Sequence, residues 1–186
     1  FGSALIMIAQ VGVGVNVAQL FGKQDLEGVK RYISNGFQLN MIIAILYSLF
    51  LFIFRQQIIG FFNIQEANVS EMAIEYLSII AVGITFHFLN PVFSTILNST
   101  GNSITPFKVN TIGLIANIVI DPLLIFGFGP LPALGIKGAA LATIMSQFFV
   151  TVIFLIVGKK YNTIYSHVKL FIKPCIETIK NIIIIG

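Results

Sequence analysis

Long apolar runs, interrupted by short polar punctuation, set the rhythm of this chain. A helix needs about 20 apolar residues to cross the hydrocarbon core of a bilayer. Five stretches reach that length, at about 1–21, 33–54, 76–97, 107–127 and 136–158. The segment 168–186 reads first as an amphipathic segment lying in the interface, with a further span beginning in or after it. The alternating apolar and polar positions of an outer-membrane barrel are absent, so helices are the expected spanning form. The pattern predicts an all-α integral membrane protein, a polytopic helical bundle of about five complete or near-complete spans. Residues 1–186 form one unit, because no soluble domain fits between the spans. The chain starts inside one apolar span and stops inside another, and reads as an internal piece of a longer protein.

The polar residues inside these spans fall on single faces. The first span carries Ala9, Gly12, Asn16 and Gln19, the fourth Asn110, Gly113, Asn117 and Asp121. Steps of three and four residues keep each set on one side of a helix. The fifth span carries two adjoining rows, Gly138–Ala142–Ser146 and Ala139–Thr143–Gln147. Small and hydrogen-bonding residues are what closely packed membrane helices use, so plain packing explains much of this.

Asp121 needs more explanation. It is the one acid placed inside a span, where a carboxylate costs roughly 2.5–3.5 kcal/mol. Such residues face a bundle interior or a wet cavity and mark ion or proton routes. Pro122 follows at once and has no N–H, which deprives the carbonyl of Ile118 of its helical donor. Carboxylate, Asn117 amide oxygen and loose carbonyl are hard oxygen donors suited to a small cation. The competing reading is an Asp held protonated and hydrogen-bonded for structure. Asp121 lies about 6 Å to one side of its span's midpoint at 1.5 Å per residue. In an antiparallel pair Thr143 reaches the same depth, with Asn117 and Gln147 sharing the level below. His87, near the middle of the third span and four residues before Pro91, is either a second protonation site or a neutral buried histidine bonded to a neighbour.

Composition agrees with the pattern. The chain is 56% hydrophobic and 10% charged, against about 25% charged in soluble domains, with mean hydropathy +0.95. The basic pI near 9.3 does not point to nucleic acid, since the cations sit at the ends of apolar runs and form no patch interleaved with aromatics. Lys23, Lys30, Arg31, Lys108, Lys159, Lys160, Lys169, Lys173 and Lys180 fall on one side, and only Arg55 and Lys137 on the other. The positive-inside rule then makes loops 22–32 and 98–107 and the tail 159–186 cytoplasmic, in a multi-pass protein of the inner or plasma membrane. A single cysteine, Cys175, excludes an internal disulfide and a Cys-rich metal site, and two histidines, His87 and His167, build no metal cluster.

The stretches "TGNSITP" (100–106), "NIVIDPLLIFG" (117–127), "GIKGAALAT" (135–143) and "VAQLFGKQDLEGVKRY" (17–32) resemble motifs of the multidrug and toxic compound extrusion (MATE) transporters. Ser99 stands where that family's first motif has a glycine. The resemblance implies that the spans are the second to sixth helices of a twelve-helix transporter, in a six-helix amino-terminal lobe, with 159–186 leading to the next lobe. It implies secondary active efflux of cationic, amphipathic compounds in antiport with Na⁺ or H⁺, with no cofactor. It places the cation on Asn117, Asp121 and Thr143, beside an acid on a first helix that this chain lacks; Gln147, Asn16, Gln19 and His87 are candidate cavity-lining residues. The expected partners are small cationic substrates, the lipid bilayer, and the first helix and carboxy-terminal lobe of the same protein. An alternative is a flippase for lipid-linked oligosaccharides, whose cavity needs mid-span cations that these spans do not supply. An intramembrane enzyme is not expected, since neither a second mid-span carboxylate nor a His-Glu-x-x-His motif is present.

Overall fold

The computed structural model describes residues 2–129, 132–160 and 175–186, with the side chains of 159 and 160 excepted. Seven helices account for nearly all of them: α1 (Gly2–Gly22), α2 (Leu26–Ile53), α3 (Arg55–Phe61), α4 (Ala67–Ser99), α5 (Ile104–Phe126), α6 (Ile136–Lys160) and α7 (Ile176–Ile185). Among the described residues, α1, α2, α4, α5 and α6 are long and apolar enough to cross a membrane.

Two helices start well before their apolar runs. The expected loop 22–32 shrinks to 23–25, because Asp25 caps α2 by accepting a hydrogen bond from the N–H of Gly28 at 2.9 Å. Lys30 pairs with Glu27 one turn apart at 3.0 Å, so the polar segment is stable as helix. At 1.5 Å per residue α2 is about 42 Å long and α4 about 50 Å, both beyond the ~30 Å hydrocarbon core. The expected loop 98–107 shrinks to 100–103. Gly101 takes φ +85°, and the Asn102 side chain accepts from the N–H of Thr105 at 3.1 Å. The left-handed residue of this turn is Gly101, and Ser99 is the last helical residue, so its side chain costs the turn nothing.

Cross-helix contacts fix the topology. Gly2 faces Tyr47 and Gly36 faces Val13, which makes α1 and α2 antiparallel. Asn40 donates to the carbonyl of Phe88 at 2.6 Å and Ser48 to that of Ala81 at 2.7 Å, an antiparallel α2–α4 pair. The parallel α4–α6 pair shows in Phe93 stacked on Phe154 at 5.4 Å and Phe86 edge-on to Phe148 at 5.3 Å. At one end of that pair Lys137 and Glu75 form an ion pair of 2.9 Å. The apolar core joins Val13, Val17, Ile33, Phe37, Val92 and Phe93 with neighbours on α5, α6 and α7.

The tail corrects two expectations. Residues 176–185 are not an interfacial segment. Ile182 and Thr178 are buried, and the Ile182 backbone lies so close to Gly12 that a Cβ there would overlap its carbonyl oxygen. Gly186 reaches the backbone of Ile8, so α7 climbs antiparallel along α1 past its midpoint. That part of 159–186 thus packs one face along α1 and α2, with Ile176, Ile183, Ile184 and Ile185 exposed on the other, and is not a tail confined to the cytoplasmic surface. Lys169, Lys173 and His167 lie outside the described residues.

Candidate cation site on the α5–α6 hairpin

Helix α5 packs along α6 and meets α4 only slightly. Gly138 on α6 abuts the backbone of Leu124, and Gly113 on α5 faces Val150. This antiparallel register puts Asp121 level with about residue 142 and Asn117 level with about 146, so the depth expected for Thr143 and Gln147 holds. The helix runs unbroken through Pro122, as α4 does through Pro91.

Two polar atoms here have no partner. Asp121 Oδ1 and Asn117 Nδ2 are buried and make no hydrogen bond. They sit one turn apart on a helix whose Ile112, Leu114, Ile115, Ile118 and Val119 are all exposed. Buried polar groups are almost always paired, and a lost partner costs about 1–3 kcal/mol. A carboxylate oxygen with no donor accommodates a proton or a small cation.

The other expected residues are arranged differently. The Thr143 hydroxyl donates to the carbonyl of Ala139 at 3.0 Å, within its own helix. Among the described residues no hydrogen bond joins it to Asp121. Gln147 turns to α4: Asn90 Nδ2 donates to Gln147 Oε1 at 2.8 Å and to its carbonyl at 2.9 Å. The Thr151 hydroxyl completes this cluster by donating to Asn90 Oδ1 at 2.7 Å. Asn16 is buried and donates to the carbonyl of Gly12 at 2.7 Å, so its polarity is spent inside α1. Gln19 and His87 are exposed. No group of three or more His, Cys, Asp or Glu that could hold a metal ion occurs among the described residues.

Sequence reasoning missed Asn90 and Asn40. Both are buried amides in the middle of apolar spans, and Asn90 stands directly before Pro91, which was a usable signal.

Five apolar crossings and an orphaned carboxylate inside one of them define a polytopic membrane bundle of the transporter kind. The family model for MatE matches residues 1–123, and the chain belongs to the MATE family of multidrug transporters. It is 32% identical over 146 residues to the FAD transporter of Shewanella oneidensis, covering 77% of this chain and 32% of that protein. It is 29% identical over 144 residues to a probable multidrug resistance protein NorM of Thermotoga maritima, covering 77% of this chain and 31% of the relative. A solved inward-facing multidrug resistance MATE family transporter superposes with a TM-score of 0.87 at 24% identity, over 98% of this chain and 41% of that one. A MATE protein in its straight conformation gives 0.82 at 26% identity, over 98% and 40%. The chain thus spans about a third of these curated relatives and about two fifths of the solved chains, which fits an amino-terminal lobe. MATE proteins are multi-pass membrane transporters of small molecules, not enzymes.

Proposed function

We propose that this chain is part of the amino-terminal lobe of a secondary active antiporter that exports cationic, amphipathic compounds against inward Na⁺ or H⁺. The single observation that carries the reading is the pair of orphaned atoms on α5, Asp121 Oδ1 and Asn117 Nδ2. Asp121 takes up the coupling cation from outside and releases it inward. Asn117 reorients its amide to offer oxygen, and Thr143 contributes its hydroxyl from the facing helix. Binding and release bias the rocking of two lobes between outward- and inward-open states. The loops after α1 and after α4 face the cytoplasm in this reading, with Lys23, Lys30, Arg31 and Lys108 on that side.

The test is efflux of a fluorescent cationic dye from vesicles holding the full transporter. Asp121→Asn is expected to abolish gradient-driven efflux while membrane insertion persists. Gradient-driven efflux at the parent rate in that variant would overturn the role of Asp121.

The likeness to the Shewanella FAD transporter favours a second reading, an anionic dinucleotide as cargo. A pyrophosphate needs cationic side chains in the cavity. The described lysines and arginines of α1 to α6 stand at helix ends and connections, so an anionic cargo would draw its cations from elsewhere in the protein. FAD supplied in place of the dye decides between them.

A further inference from the structure

We infer that Asn90 is the residue that holds the α5–α6 hairpin, and with it the candidate cation site, in place against the rest of the lobe. The inference rests on the cation-site reading above. All three proposed ligands, Asn117, Asp121 and Thr143, ride on this hairpin. Helix α5 packs on α6, and its side-chain hydrogen bond to α4, from Asn110 Nδ2 to Ser94 Oγ at 3.2 Å, is exposed. The position of the site therefore follows α6, and the position of α6 follows its contact with α4.

That contact is largely apolar: Phe93 on Phe154, Phe86 on Phe148, and Ile144 filling the space over Gly83. Such surfaces fix the register of two helices less sharply than hydrogen bonds do, because apolar attraction has no direction. Hydrogen bonds do have direction. Inside the α4–α6 contact the Asn90 side chain uses both ends: its Nδ2 donates to the Gln147 side chain and carbonyl, and its Oδ1 accepts from Thr151. Asn90 is 3% exposed and Thr151 7%. Gln147 is one turn from Thr143 and Thr151 one turn further along the same row, and both side chains meet Asn90 on α4. Shared, satisfied networks of this kind select one arrangement of a buried contact. Both ends of the Asn90 side chain are taken up by Gln147 and Thr151, and it is not among the proposed ligands, so its part is positioning.

The experiment is cation-dependent dye efflux by the full transporter, read as the half-saturating cation concentration apart from the maximal rate. Asn90→Ala is expected to raise that concentration about tenfold and Thr151→Val about threefold, the size of effect that mutations along a coupling network produce. Thr151→Ser keeps the hydroxyl and is expected to restore the parent value. A role in folding alone lowers the amount of active protein and the maximal rate, and leaves half-saturation unmoved. If Asn90→Ala does not insert, Thr151→Val against Thr151→Ser decides by the same readout. Cation dependence that Asp121→Asn abolishes but these variants leave within twofold of the parent would overturn the positioning role alone. Efflux by the parent that needs no cation would overturn the coupling site and the positioning role together.

Discussion

On α1, Asn16 is buried, and its amide closes on the carbonyl of Gly12. On α5, Asn117 and Asp121 each keep one buried atom with no partner. The two helices carry stripes with the same three- and four-residue steps, yet one spends its polarity within the helix and the other leaves it open. Spacing defines a face. It does not say whether the donors and acceptors on that face are met by the same helix, by a neighbour, or by a ligand. The α4–α6 contact shows the middle case, where Asn90, Gln147 and Thr151 satisfy one another across two helices. An orphaned atom costs about 1–3 kcal/mol; Ser34 Oγ and Asn40 Oδ1 on α2 carry that cost too, so the α5 pair is set apart by its carboxylate.

The largest expected effect tests whether α5 owes its place to α6. A Cβ at Gly138 would overlap the carbonyl of Leu124, which is backbone and cannot swing aside. Gly138→Leu is expected to lose about 2–3 kcal/mol of stability by forcing the helices apart. Gly60→Leu, where a Cβ meets nothing within 4 Å, should stay within about 1 kcal/mol of the parent. Thermal unfolding of the purified full transporter measures both. Equal midpoints for the two variants would mean that the α5–α6 contact is not tight.

The next effect separates the two stripes. Asn117→Ala is expected to raise the half-saturating coupling cation about tenfold, or ~1.4 kcal/mol. Asn16→Ala, which breaks only a bond within its own helix, is expected to change it less than about twofold. Cation titrations of dye efflux supply both values. Parallel shifts in the two variants would erase the distinction between a satisfied and an orphaned stripe.

The spans were legible because hydropathy reports burial in lipid directly: α5 was expected at 107–127 and runs from Ile104 to Phe126. The early start of α2 was not, because a helical turn outside the hydrocarbon is polar. The signal lay instead in Asp25 as a cap and in the Glu27–Lys30 spacing. On α6 the two rows were visible, but their assignment was not. Gly138 faces the α5 backbone, while Gln147, from the other row, reaches α4. Adjacent rows on a helix differ by about 100°, so which neighbour each one meets depends on the position of a third helix that a single segment does not encode. The Asp121–Asn117 pair was legible, since a carboxylate inside an apolar run is costly wherever the helix packs.

The smallest expected effect concerns His87. It stood out in sequence as the one imidazole inside a span, but it is exposed on α4. Its neighbour Phe88 is fully buried, and the Phe88 carbonyl takes the hydrogen bond from Asn40. The buried polar work at this turn is therefore done by Asn40 and Asn90, on either side of the histidine. His87→Ala should change unfolding stability by less than about 0.5 kcal/mol and leave the pH profile of dye efflux where it is. A residue that carries a coupling proton would move that profile. A displaced or flattened profile in His87→Ala would move the proposed coupling site from Asp121 on α5 to His87 on α4, and remove the open stripe of α5 as the feature that sets it apart from α1.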